Sequence, residues 1–273
     1  MRHCRDLAKD FNAPIQMHLG ESKIQALAGM ERYGKTLTSH LDDLGLLSPS
    51  FTGAHGVWLD DDDMRRLADN GSSIAHNPGS NLRLGCGIAP AWQMLKHGVG
   101  VGIGTDGGAS SDNQNMFEAL RMAAFVSRIM VPDPDNWLGT WEALQLGTAG
   151  GAKVLGMEHE IGQIKPGFKA DLVFLDLENI NFIPLNDAAN QIINCEDSSA
   201  VNSVMINGDM ILQDRRFTQF DFATLRQKIA TAVERHKSLN EPVRMRSEAM
   251  ARFVSSHCVG LACQSYHVQR RVK

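Results

Sequence analysis

Along the first 130 residues the chain switches repeatedly between a helical period and a strand period. From Met1 to Phe11 the spacing is helical, with Leu7 and Phe11 four apart on one face and Arg2, Arg5 and Asp10 elsewhere. Ala13-Pro14 breaks that helix, and Ile15-Gln16-Met17-His18-Leu19 follows as a short strand. The unit then recurs. Ile24 to Leu44 predicts a helix, Phe51 to His55 a strand end, and Asp60 to Asn70 a helix with acids in its first turn and Gly71 at its end. Ser72 to His76 predicts a third strand, Ala89 to His97 a helix, Val99 to Asp106 a glycine-rich fourth strand, and Asn115 to about Met130 a long helix. Strands alternating with helices through short connections imply a parallel sheet, doubly wound or closed into a barrel. Three of these strands end in histidine and the last in aspartate, at the carboxyl ends where parallel α/β folds build active sites.

Beyond the alanine-rich helix that ends near Leu155 the texture changes. Ile161 to Gly167 predicts a turn-rich hairpin, Ala170 to Asp176 a strand, and Val201 to Ile211 a hairpin turning at Asn207-Gly208. From Asp221 to about Met250 the spacing of Leu225, Ile229, Ala232 and Val233 predicts an amphipathic helix, and the tail with Cys258, Cys263 and Tyr266 shows no pattern. The expected division is 1–155 for the α/β part, 156–215 for a small β segment, and 216–273 for a helix and tail.

Composition narrows the partners. The 273 residues carry a net charge of -4 from mixed acids and bases, with no basic stripe for nucleic acid or an anionic membrane. No run approaches the ~20 apolar residues of a membrane span, and Met1-Arg2-His3-Cys4-Arg5-Asp6 is no signal peptide, so a cytoplasmic location is expected. Cys4, Cys86, Cys195, Cys258 and Cys263 form no CxxC pair and are expected to be reduced bystanders.

The candidate chemistry lies at the strand ends. His18-Leu19-Gly20-Glu21 sets an imidazole that can bind a metal three residues before a carboxylate that can shuttle protons. Hydrolysing a ring C–N bond at neutral pH needs activated water, and a bound Zn²⁺ lowers water's pKa to about 7. His55 can bind metal or orient and deprotonate that water. Asp106, in Gly104-Thr105-Asp106-Gly107-Gly108, can ligate metal and accept a proton, while the glycines let a ligand approach the backbone. Read alone, each has a bland alternative: a coincidental HxxE, a packed histidine, a turn aspartate. His76 leans structural, and Asp60 to Asp63 are expected to be solvated acids at a helix start. No GxGxxG opens a helix after a strand and no PCxxC occurs, which disfavours a nicotinamide or flavin enzyme and the cytidine-deaminase type of zinc site.

In order and spacing, His18-Leu19-Gly20-Glu21, Ala54-His55-Gly56-Val57-Trp58-Leu59, His76-Asn77-Pro78-Gly79-Ser80-Asn81-Leu82, Gly104-Thr105-Asp106-Gly107 and Gly162 to Val173 resemble the amidohydrolase superfamily. The similar branch holds methylthioadenosine/adenosylhomocysteine deaminases, aminopurine deaminases and triazine chlorohydrolases. That resemblance, over residues 1 to about 250, implies an α/β fold: strands five to eight, the C-terminal half, of a (β/α)8 TIM barrel, plus part of a small β-sandwich. It implies His18 and Asp106 as metal ligands, His55 beside the activated water and a third candidate ligand, and Glu21 as the proton relay to ring nitrogen and departing amine. Glu21, Trp58 and Asn81 are the expected substrate contacts. The implied cofactor is one divalent metal, Zn²⁺ first, with Fe²⁺ and Mn²⁺ open. The implied substrate is a small heterocycle, and a homo-oligomer is plausible for an intact enzyme. The alternatives are dechlorination of a triazine, which needs no proton relay, and a non-catalytic half-barrel that binds or scaffolds. The sequence departs from the family in one respect: the His-x-His pair of strand one occurs nowhere in it. The chain is therefore expected to be an inactive fragment of a longer enzyme.

Overall fold

The structure, a computed structural model, describes residues 1–271, the side chain of His257 excepted. It divides into two compact units: one of residues 1–169, 177–200 and 266 onward, the other of residues 170–176 and 201–265.

The first unit opens with α1 (Arg2–Asp10), β1 (Ile15–Leu19), α2 (Lys23–Tyr33), α3 (Leu37–Asp43), β2 (Phe51–His55), α4 (Asp61–Asp69) and β3 (Ser73–His76). There follow α5 (Pro78–Arg83), α6 (Ala91–His97), β4 (Gly100–Ile103), α7 (Gly108–Ser111), α8 (Met116–Met130), α9 (Thr140–Gly147) and α10 (Ala149–Val154). Strands β1 to β4 are parallel and lie in chain order, so every crossover runs to the next strand.

The helix expected from Ile24 to Leu44 is two helices. Ser22 caps α2 by accepting the Gln25 N–H, Gly34 ends it in the left-handed conformation at φ 67°, and Thr36 restarts the chain as α3 by accepting the Ser39 N–H. Both segments keep the helical period, and the glycine and threonine between them act as stop and start signals. At α4 the Asp60 carboxylate accepts the Asp63 N–H at 2.8 Å and Asp63 reaches back in a capping box. Asp63 is 2% exposed, so the acids of this turn are not all solvated.

The two sheet faces differ. Register aligns Met17, Gly53, Ile74 and Val101 in one row, and with Leu19 they join a core that includes Phe51, Met64, Leu67 and Met94 from β2, α4 and α6. The other face carries the rows Gln16, Thr52, Ser73, Gly100 and His18, Ala54, Ala75, Gly102. These small residues admit α10: the Thr52 hydroxyl donates to the Val154 carbonyl at 2.8 Å, and a Cβ on Gly102 would meet the Gly150 carbonyl oxygen at 2.8 Å. The glycines of the fourth strand thus serve helix–strand contact.

The hairpin expected at Ile161–Gly167 holds no strand and is built of turns, closed by the Lys169 N–H donating to the Glu160 carbonyl at 2.8 Å. The second unit carries β5 (Leu172–Leu175), after which α11 (Ala188–Asn194) belongs to the first unit. Then come β6 (Val201–Ile206), β7 (Asp209–Gln213), β8 (Arg216–Phe217) and α12 (Phe222–Ala262). Its sheet is antiparallel in the order β5-β6-β7-β8, with the β6–β7 turn at Asn207-Gly208 as expected. The 41-residue α12 extends well past Met250. No helix among the described residues is long and apolar enough to cross a membrane.

Candidate metal centre

The parallel register fixes which side chains meet. His18 lies in the penultimate position of β1, opposite Ala54, and Leu19 pairs with His55, so the imidazoles of neighbouring strands rise at the same sheet end. Their rings stack with centroids 5.3 Å apart at 16°. Gly20, at φ 59°, turns the chain to bring Glu21 back over the pair. Ligand atoms of His18, Glu21 and His55 all lie within 4.8 Å of one another, and His55 Nε2 stands 3.9 Å from Glu21 Oε2. His18 is exposed, Glu21 half-buried and His55 buried.

His55 is oriented from behind. Its Nδ1–H donates to Asn81 Oδ1 at 2.9 Å, leaving Nε2 with a lone pair toward the cluster. Fixing the rear nitrogen of a ligating imidazole in this way sets the ring's orientation. Asn81 is only 1% exposed. His55 and Asp106 both adopt left-handed backbone, at φ 78° and 60°, a strain that side chains tolerate when the surrounding structure fixes them.

Asp106 follows β4 on a loop and is half-buried. Burial alone would raise its carboxyl, but the Ser80 hydroxyl, the Gly107 N–H donating at 2.6 Å, and the imidazoles of His55 and His18 outweigh it and hold the group below its ordinary value. Asp106 is therefore anionic at neutral pH and within electrostatic reach of both imidazoles. Glycines 107 and 108 have open space around them, consistent with an approachable loop.

Three further residues complete the surroundings, and the role of one of them, Cys86, was hidden from sequence reasoning. Cys86 is buried, and its thiol points at Glu21 Oε1 from 3.9 Å; burial, reinforced by that carboxylate, pushes the thiol up to about 11, so it remains a donor. His76 is fully buried with neither ring nitrogen hydrogen-bonded, and burial together with His55 brings it down to about 4, so it is neutral. Trp58, expected against substrate, is 2% exposed and donates its Nε1–H to the Cys86 carbonyl at 2.8 Å. Trp58 and Asn81 are thus placed behind the cluster. Nothing local in the sequence marks Cys86, because its partner lies 65 positions away.

His18 and His55 stand at ligand spacing with Glu21 beside them, while Asp106, the carboxylate expected as a ligand, lies outside that group and is coupled to the imidazoles electrostatically; two imidazoles with a carboxylate form a nitrogen and oxygen donor set suited to a borderline cation such as Zn²⁺. The site fits the metal expected from the sequence.

Residues 1–211 match the amidohydrolase family, and the chain belongs to that family. It is 36% identical over 221 residues to a 5-methylthioadenosine/S-adenosylhomocysteine deaminase of Acetivibrio thermocellus, covering 81% of this chain and 51% of that protein. It is 34% identical over 230 residues to a 5'-deoxyadenosine deaminase of Methanosarcina mazei, covering 84% and 52%. Among solved structures it resembles an adenosine deaminase from Xanthomonas campestris with bound zinc, at a TM-score of 0.83 and 31% identity over 87% of this chain and 54% of that one. It also resembles an atrazine chlorohydrolase from Arthrobacter aurescens complexed with zinc, at a TM-score of 0.77 and 30% identity over 84% and 50%. The chain spans about half the length of the curated relatives it matches.

Proposed function

We propose that this chain carries part of the active site of a metal-dependent hydrolase acting on C–N bonds other than peptide bonds, and that the reaction is hydrolytic deamination of an adenine-type nucleoside. The observation that carries this reading is the convergence of His18, Glu21 and His55 within 4.8 Å at one sheet end. The deaminase names of relatives at 34–38% identity support the reaction class. Free thiols on all five cysteines suit the cytoplasmic location expected from sequence.

In this reading His18, Asp106 and His55 hold a divalent metal, Zn²⁺ by preference. When bound, such an ion supplies Lewis acidity that makes water nucleophilic near pH 7. The side chains do the rest. Asp106, anionic, accepts a proton from water as its oxygen bonds to the ring carbon bearing the amino group. Glu21 gives a proton to the adjacent ring nitrogen, takes the proton of the new hydroxyl as the carbonyl forms and passes it to the departing amine, and is recharged through solvent by the proton that Asp106 accepted, so that water and the aminopurine leave as the oxo-purine and ammonia. His55, fixed through Asn81, keeps the water's approach in one direction. Glu21 favours deamination over triazine dechlorination, because chloride departs without a proton. The chain contains no His-x-His pair, so we propose that its own donor set binds metal weakly and turns over little by itself.

The test joins this chain behind the N-terminal half of the Acetivibrio thermocellus relative and assays ammonia release from 5'-deoxyadenosine with zinc. Ammonia release that Glu21→Gln abolishes while zinc stays bound is the expected result. Chloride release from atrazine without ammonia release from any adenine nucleoside would replace this reading with the dechlorination one.

A further inference from the structure

Residues 266–271 lie outside the residues matched by the family, yet they pack on the loops that frame the candidate centre. Arg270 is 8% exposed and spends its guanidinium on one loop: Nε donates to the Val57 carbonyl at 3.0 Å and a terminal nitrogen to the Leu59 carbonyl at 2.6 Å. Its own carbonyl accepts the Ile88 N–H at 2.8 Å, joining a second loop. Neighbours secure both sides. Tyr266 meets the Trp58 ring edge-on at 6.0 Å, His267 Nε2 pairs with Asp60 at 2.7 Å, and Arg271 donates to the Gly85 carbonyl at 2.8 Å. Gly87, at φ 123°, is required here, since a Cβ would come within 2.6 Å of the Arg270 carbonyl oxygen.

From these two loops direct contacts lead to the centre. The Gly56 N–H donates to the Leu19 carbonyl at 3.0 Å and the Trp58 N–H to the Gly20 carbonyl at 2.8 Å, tying the first loop to the turn between His18 and Glu21. On the second loop the Cys86 carbonyl receives the Trp58 indole, and the Cys86 thiol faces Glu21. A buried guanidinium is costly unless its donors are engaged, and here Nε and one terminal nitrogen are engaged by carbonyls of the backbone that carries His55 onward.

We propose that segment 266–271 is a positioning element of the candidate centre, with Arg270 as the positioning residue that sets the His55–Asp60 loop against the Glu21 turn. The link to metal binding rests on the function proposed above; the link to loop geometry does not.

The experiment compares the whole chain with one ended after Ser265 and with Arg270→Lys, which keeps a charge but not the planar fork to two carbonyls. Hydrogen exchange is read at the Gly56 and Trp58 amides, and cobalt uptake by its visible absorption. Removal of the segment is expected to speed exchange at both amides roughly tenfold, with Ile74 in β3 unchanged, and to weaken cobalt binding about tenfold. A synthetic peptide of residues 263–273 added back is expected to restore both. Unchanged exchange at Gly56 and Trp58 in the folded shortened chain overturns the proposal. If that chain does not fold, Arg270→Lys decides: faster exchange at the two amides supports it and wild-type exchange overturns it. An intact chain that takes up no cobalt defeats the metal reading while leaving the exchange result to judge positioning.

Discussion

Glu21 and Asp106 are both carboxylates within reach of the same imidazoles, yet their surroundings assign them different work. Asp106 is held anionic by hydrogen bonds and two imidazoles, whereas Glu21 sits half-buried with a thiol and an imidazole beside it. In the joined enzyme described above, Glu21→Gln is expected to cut ammonia release about 10²- to 10⁴-fold with zinc content unchanged, the range for loss of a general acid–base. Elsewhere, Asp63 offers a separate test of the residue scale. Burial, resisted by the Thr36 hydroxyl, raises its carboxyl from 3.8 to about 6. A raised folded pKa means that the stability contribution is full below 3.8 and is lost as pH climbs through about 6. Ionised Asp63 therefore costs on the order of 3 kcal/mol at neutral pH. Urea denaturation of the chain and of Asp63→Asn across pH 4 to 7 is expected to show the difference growing in favour of the amide as pH rises. A pH-independent difference would mean that Asp63 is already ionised at the bottom of that range.

At the scale of elements, β4 and α10 approach closely, backbone against backbone, at Gly102 and Gly150. Gly102→Ala would drive a methyl group to 2.8 Å from the Gly150 carbonyl oxygen and 2.9 Å from Val154, with no flexible side chain end able to absorb it all. Overpacking of this kind costs about 1–3 kcal/mol, and a matching fall in the urea midpoint is the expected reading; Gly108→Ala, in open space, serves as the near-neutral comparison. The same pair of elements shows how far the sequence could be read. Strand existence and order were legible because apolar runs led to histidines and an aspartate; His55 ends β2 and His18 lies next to the end of β1, while Asp106 lies beyond β4 on the loop that follows it. Helix punctuation was partly missed at Gly34-Lys35-Thr36, where local caps overrode a continuous period. What the glycines of β4 pack against was not legible, since α10 lies some fifty positions on. Nor were the roles of Asn81, Cys86 and Arg270, whose partners lie 26, 65 and 213 positions away and leave no local trace.

For the whole molecule, the decisive quantity is how much metal this chain holds by itself. His18, Glu21 and His55 are gathered within this chain's own fold, and Asp106 is coupled electrostatically to the two imidazoles; on the reading proposed above, this is the part of a metal centre that the chain brings by itself. Against that, His18 is exposed and β1 ends the order of its sheet, so one side of the centre faces no protein ligand among the described residues. Three or four protein ligands in a closed arrangement make zinc binding tight, and an imidazole free to rotate into solvent contributes less than a fixed one. Elemental analysis after dialysis is therefore expected to find the 273-residue chain well below one zinc per chain, with Asp106→Ala lower still and the chain joined to a relative's N-terminal half near one. Near-stoichiometric zinc in the chain alone, lost in Asp106→Ala, would mean that these four side chains are sufficient. Activity should then be sought in this chain directly, since the centre would need no second histidine pair.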